Sequence, residues 1–253
     1  LDSGWDIKAL VKQIVTSQTY RQSSVATPAE FKKDPENRLL ARASRFRLDA
    51  EVVRDVALAS SGLLSAKMGG PGVFPPQPDG CMDLGQHRKT WKASGGEDRF
   101  RRAAYTYRWR NTPHPALKVF DAPAGLAACT RRIRSNTPLQ ALTLMNDPAF
   151  VELAVGLARR LMAEADSAAN RIRLGFQLCL GREPDAEELR LLTGLVESQR
   201  SEFAVQSAEA KAVVARARPL GQAPKPAGGD AALAAWTMAA RVLLNLDETI
   251  TRE

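Results

Sequence analysis

The chain has 253 residues, 44% of them apolar, which is enough to bury a core as one large domain or two modest ones and excludes a disordered polypeptide. Its formal charge of +8 and pI near 9.7 come mostly from arginine, which outnumbers lysine by more than two to one. Arginine suits planar, bidentate pairing with carboxylates and phosphates, so anionic polymers, anionic surfaces and acidic neighbouring domains are the partners this balance admits.

No run of about eighteen apolar residues occurs, so no membrane-spanning helix is expected. The chain starts at Leu1 with no Met and no basic-then-apolar leader, and reads as starting partway through a longer polypeptide, with any export signal upstream. Ser3 and Asp6 stand in capping-box spacing before Ile7, Leu10, Val11, Ile14 and Val15, which predicts a first helix to about Tyr20. A polar, proline-containing loop follows, then a short helical turn near Arg38 to Ala41. Asp49 reads as the N-cap of the next helix, with Leu48 and Val53 as a hydrophobic staple and Gly62 at its end.

From Gly69 to about Gly96 the chain shows no sustained period and reads as a long irregular segment. The alternation of Tyr105, Tyr107 and Trp109 in "RFRRAAYTYRWR" predicts a short strand with the three rings on one face. Thr137, Pro138 and Gln140 form a strong helix-start signature, and Asn146 and Asp147 before Pro148 repeat it. Further helices are expected from about Ala168 to Leu180, closed by Gly181, and from Asp185, continuing into "AEAKAVVARA". A last helix is expected after Asp230. The predicted fold class is mainly α: an irregular helical domain with a long loop insert and a minor β element. Its organisation is a main domain over 1–217, N-terminally truncated, with the insert at about 64–98, a linker at 218–229, and a C-terminal helix in 230–253 packing back on it.

Several of these stretches, "SGWDIKALVKQIVTSQTYRQSS", "DPENRLLARASRFRLDAEVVRD", "GGPGVFPPQP", "FDAP", "RRIRSNTPLQALTLMNDPAF" and "LNLDETITRE", resemble the C-terminal domain of unknown function 1553, the PSD family, of planctomycete-type exported proteins that carry cytochrome c domains. The chain looks like the back portion of that domain. The resemblance implies a periplasmic or cell-surface setting and, as partners, upstream cytochrome c-type and companion domains of the same polypeptide. It implies no established reaction. The stretch "FDAPAGLAACTRR" departs from the charged run expected after "FDAP", which puts in doubt a role for an acidic residue there.

Cys81, Cys129 and Cys179 lack C-x-x-C spacing, so neither a zinc knuckle nor covalent haem attachment can be built from this chain. No cofactor is expected here, and haem c would belong to upstream domains. Cys81 and Cys129 sit in loop-like surroundings and can pair in an oxidising compartment, while Cys179 reads as a small core hydrophobe. Cys81, Asp83 and His87 approximate at most a loose metal site, and His87 and His114 read as loop residues.

The candidate ligand site joins Asp121 to Arg131, Arg132 and Arg134, with Asn136, Thr137 and Gln140 at the helix start. A helix N-terminus is already partly positive, so guanidinium groups gathered there need an anion, and an anionic or carbohydrate ligand meets that need. The competing reading is an internal network in which Asp49, Glu51, Glu97 or Asp121 neutralises the arginines. Tyr105, Tyr107 and Trp109 beside Arg108 and Arg110 can stack sugar rings, or else form one buried strand face. No nucleic-acid module appears. Without a nucleophile-elbow, metalloprotease or phosphate-loop motif, the expected function is a non-catalytic scaffold or ligand-binding domain. The alternatives are a polysaccharide-active enzyme using Asp121 and a second carboxylate, and an electron-transfer scaffold docking a haem domain.

Overall fold

The computed structural model describes residues 4–84, 90–216 and 228–252. The linker expected at 218–229 lies outside the described residues except for Gly228 and Gly229, and His87 lies outside them too. The described residues form a mainly α protein with eleven α-helices and a single two-stranded sheet. They divide into two compact units: one is formed by the residues up to Arg47 together with Thr251 and Arg252, and the other is Leu48–Ile250.

In the first unit, α1 (Ile7–Thr16) starts where the Asp6 carboxylate accepts the Ala9 N–H at 3.0 Å. It stops four residues short of the expected Tyr20. The Ser17 hydroxyl donates to the Ile14 carbonyl at 2.7 Å and accepts the Tyr20 N–H at 3.2 Å, offering the backbone a turn in place of another helical rung. The apolar stripe of α1 remains exposed, with Ile7 at 72% and Leu10 at 56%. A second helix, α2 (Pro28–Lys33), occupies part of the stretch expected to be loop. It is started by a capping box in which Glu30 accepts the Thr27 N–H at 2.7 Å and Thr27 Oγ1 accepts the Glu30 N–H at 3.2 Å. The helical turn expected near Arg38 does not form, because the Asp34 carboxylate takes the N–H groups of Arg38 and Leu39 and folds the chain into a turn instead. Strand β1 (Phe46–Arg47) pairs antiparallel with β2 (Thr251–Arg252).

The second unit holds α3 (Ala50–Ser60), α4 (Pro115–Val119), α5 (Pro138–Asn146), α6 (Pro148–Glu164), α7 (Ala168–Leu180), α8 (Ala186–Val205), α9 (Ser207–Ala215), α10 (Gly229–Asn245) and α11 (Asp247–Ile250). Its core is built on α6 and α10, which pack against each other. Leu157, Ala158 and Leu161 of α6 and Leu233 and Ala240 of α10 are fully buried. Helix α10 also packs on α8 and α9, so its apolar residues cover much of its circumference. It starts at Gly229 behind Gly228, and Asp230 lies in its first turn, not at its cap. A break at Gln206 separates α8 from α9, where one continuous helix was expected.

Residues 99–110 do not form the predicted strand. The chain takes 3₁₀ turns at Gly96–Phe100 and Ala103–Tyr105, with isolated bridges from Ser65 to Arg101 and from Val73 to Thr106. Backbone pairing is confined to those bridges, in which the Ser65 N–H donates to the Phe100 carbonyl, the Val73 N–H to that of Tyr105 and the Tyr107 N–H to that of Val73, while the Arg54 side chain takes the carbonyls of Arg101 at 2.7 Å and Arg99 at 3.1 Å. Of the three aromatic side chains, Tyr105 parts from the other two. Tyr105 lies under the Arg101 guanidinium, whereas Tyr107 stacks on Phe74 at 4.9 Å and meets Trp109 edge-on.

Candidate functional site

The entrance to α5 is specified locally. Pro138 presets the first helical dihedral, and Gln140 Oε1 accepts the Thr137 N–H at 3.2 Å. Gln140 is fully buried, and its amide nitrogen donates to the Val119 carbonyl at 3.0 Å and to Ser135 Oγ at 3.1 Å. It therefore ties α4 to α5 and offers nothing to solvent. Asp121 has a left-handed backbone, φ 61°, and its carboxylate accepts both the N–H and the hydroxyl of Ser135 at 2.8 Å each. The Asn136 amide reaches Asp247 only at 3.5 Å.

The arginines ahead of this entrance converge. Arg131, Arg132, Ile133 and Arg134 line one surface hollow of about 730 Å³. Arg132 donates to Glu51 at 2.6 Å and stands 3.6 Å from Asp49, and Arg134 donates to Asp49 at 3.3 Å. Arg108, from the aromatic stretch, reaches the same Glu51 at 4.0 Å and donates to the Pro123 carbonyl at 2.7 Å. The internal acids Asp49 and Glu51 thus meet the guanidinium groups, while Glu97 instead accepts the Ser65 hydroxyl. Asp49 illustrates the trade: it occupies the N-cap of α3 but makes no side-chain cap bond, because its carboxylate faces the arginines. The Glu51 hydrogen bond raises the Arg132 pKa. Arg132 and Arg134 still expose 37% and 42% of their side chains, and Arg131 forms no ion pair among the described residues.

A second polar centre lies inside the core, at residues the sequence reading passed over. Arg99 donates to both oxygens of the buried Glu152, at 2.9 and 2.8 Å, and to the Ser94 carbonyl. Arg101 is 1% exposed, with its guanidinium on the carbonyls of Gly69 and Pro71. Burial lowers the Arg54 pKa to about 10 and pushes the Asp147 carboxyl up to about 6. The signal was present: Glu152 interrupts the apolar run "AFVELAVGLA", and a charge there needs an internal partner. Cys81, Cys129 and Cys179 are free thiols, and burial pushes that of Cys179 up to about 11. Among the described residues no three His, Cys, Asp or Glu side chains cluster as a metal site.

A family model described as "Protein of unknown function (DUF1553)", PSD1, matches residues 1–196. The chain belongs to the DUF1553 family. Comparison with curated proteins and with solved structures gives no match. The matched span of this DUF1553 chain contains both the arginine hollow and the buried Arg99–Glu152 pair. No single described helix is long and apolar enough to cross a membrane.

Proposed function

We propose that this DUF1553 chain is a non-catalytic scaffold that captures an anionic ligand, an acidic carbohydrate being one such kind, through the arginine hollow ahead of α5. The observation that carries the reading is the composition of that hollow: among the described residues, three of the four that line it are arginines. Its volume suits a small molecule or one segment of a polymer, for which about 300–1,000 Å³ is typical. Guanidinium groups recognise carboxylate, sulfate and phosphate by paired, charge-assisted hydrogen bonds. Asp49 and Glu51 would hold Arg132 and Arg134 in place, leaving Arg131 for the ligand. The proposal includes an exported setting beside cytochrome c-type domains, for which the sequence resemblance is the support.

The test is binding to immobilised heparin, a sulfated polysaccharide, followed across a salt gradient. Arg131→Ala should weaken binding about tenfold, the worth of one charge-assisted hydrogen bond, with the unfolding midpoint unchanged. Arg132→Ala should weaken binding and also lower the midpoint, because Glu51 loses its closer partner and keeps only the longer contact with Arg108. Equal affinities for the wild type and Arg131→Ala, or retention that ignores salt, would overturn the reading.

A further inference from the structure

A small cavity opens between α3, α4 and the start of α6, walled by Ala50, Arg54, Pro75, Thr106, His114 and Phe150 among others. It leaves about 10 Å³ of room for the centre of a water-sized sphere, the amount that one water molecule occupies. Three of its wall residues carry a side-chain atom that is sealed from solvent and has no protein partner among the described residues: Arg54 Nε, Thr106 Oγ1 and His114 Nδ1. Arg54 is 5% exposed and His114 2%. Leaving such groups unpaired costs about 1–3 kcal/mol each, more for a charged one.

The chemistry of these three atoms selects the occupant. His114 Nε2 lies 2.9 Å from the Pro76 carbonyl oxygen, which can only accept, so Nε2 carries the proton. The neutral ring then presents a bare lone pair on Nδ1, and burial keeps it neutral by lowering its pKa to about 4. Arg54 Nε, in contrast, can only donate. An anion would be repelled by the Nδ1 lone pair and a cation by the guanidinium. The occupant must donate and accept at once, and the space admits a single heavy atom.

We propose that this cavity binds one structural water, which donates to His114 Nδ1, accepts from Arg54 Nε–H and completes its hydrogen bonds with Thr106 Oγ1. The water would join α3 and the N-terminal end of α4 to Thr106. Pro75 and Pro76 of the irregular segment Gly69–Gly96 meet the same group, so the bound water would help anchor that segment to the helical core.

A high-resolution crystal structure of the full chain should show one isolated density peak within hydrogen-bond distance of all three atoms. A dry cavity, or any of the three atoms turned onto a protein partner, overturns the proposal. In solution, oxygen-17 relaxation dispersion should lose the contribution of one long-lived water in Thr106→Val relative to wild type, and unchanged dispersion would also overturn it. If Thr106→Val does not fold, the wild-type density decides alone.

Discussion

Burial moves the Asp147 carboxyl from its ordinary 3.8 to about 6 and the His114 imidazole from 6.5 to about 4. The signs oppose each other. The folded chain holds the Asp147 proton more tightly than the unfolded chain does, so that contribution is complete below pH 3.8 and is lost as pH rises through about 6. The His114 contribution is complete above pH 6.5 and is lost as pH falls through about 4. Over the shared range the two compensate in part. Asp147→Asn keeps an acceptor for the Ala149 N–H, 2.8 Å from Asp147 Oδ1, but removes the titration. Chemical denaturation from pH 6.5 to 4 should then show the variant losing stability more steeply than wild type on acidification, by up to about 1.4 kcal/mol per pH unit. Parallel curves would contradict the sign of the Asp147 shift.

At the scale of elements, two helical glycines separate packing from propensity. A Cβ on Gly175 of α7 would lie 2.6 Å from Leu243 Cδ1, inside the α7–α10 contact, whereas one on Gly194 of α8 would meet nothing within 4 Å. Gly175→Val should destabilise by about 1–3 kcal/mol through overpacking, while Gly194→Ala should stabilise by up to about 1 kcal/mol through helix propensity, both read as shifts in denaturation midpoint. The same division between local and distant causes decides what the sequence discloses. The starts of α5, α6 and α8 were legible because Thr137, Asp147 and Asp185 act within three residues of themselves. The capping box of α2 was equally local, present in "TPAE", and was overlooked inside a proline-containing stretch. The strand expected at 99–110 was cut short for a distant reason: Arg54, more than forty residues away, takes the carbonyls of Arg99 and Arg101, and the stretch from Tyr105 to Tyr107 keeps a single bridge to Val73. For the candidate site, the run Arg131, Arg132 and Arg134 is visible in the sequence, and Asp49 and Glu51 are among the acids able to neutralise it. That these two would be the ones to meet the arginines depended on the docking of α3, which no local pattern encodes.

At the scale of the whole molecule, the family match ends at residue 196, inside α8, yet α10 supplies Leu233, Ala234, Ala235 and Ala240, all fully buried, to the cores of the second unit. The span that defines family membership therefore leaves out part of the core into which it folds in this chain. Ending the chain at Arg216 would strip α6 and α8 of their shared neighbour and expose both apolar faces. Such a truncation should lose cooperative thermal unfolding and precipitate, while the full chain unfolds in one transition or in one per unit. A truncated form with an unchanged midpoint would show that α10 is dispensable. Helix α1 has a consequence of a different kind. Its uncovered row of Ile7, Leu10, Val11 and Ile14 gives the native chain greasy surface of the sort that solvatochromic dyes report as loosened structure. Fluorescence from such a dye would begin high before any heating, and the starting brightness would belong to the correctly folded protein.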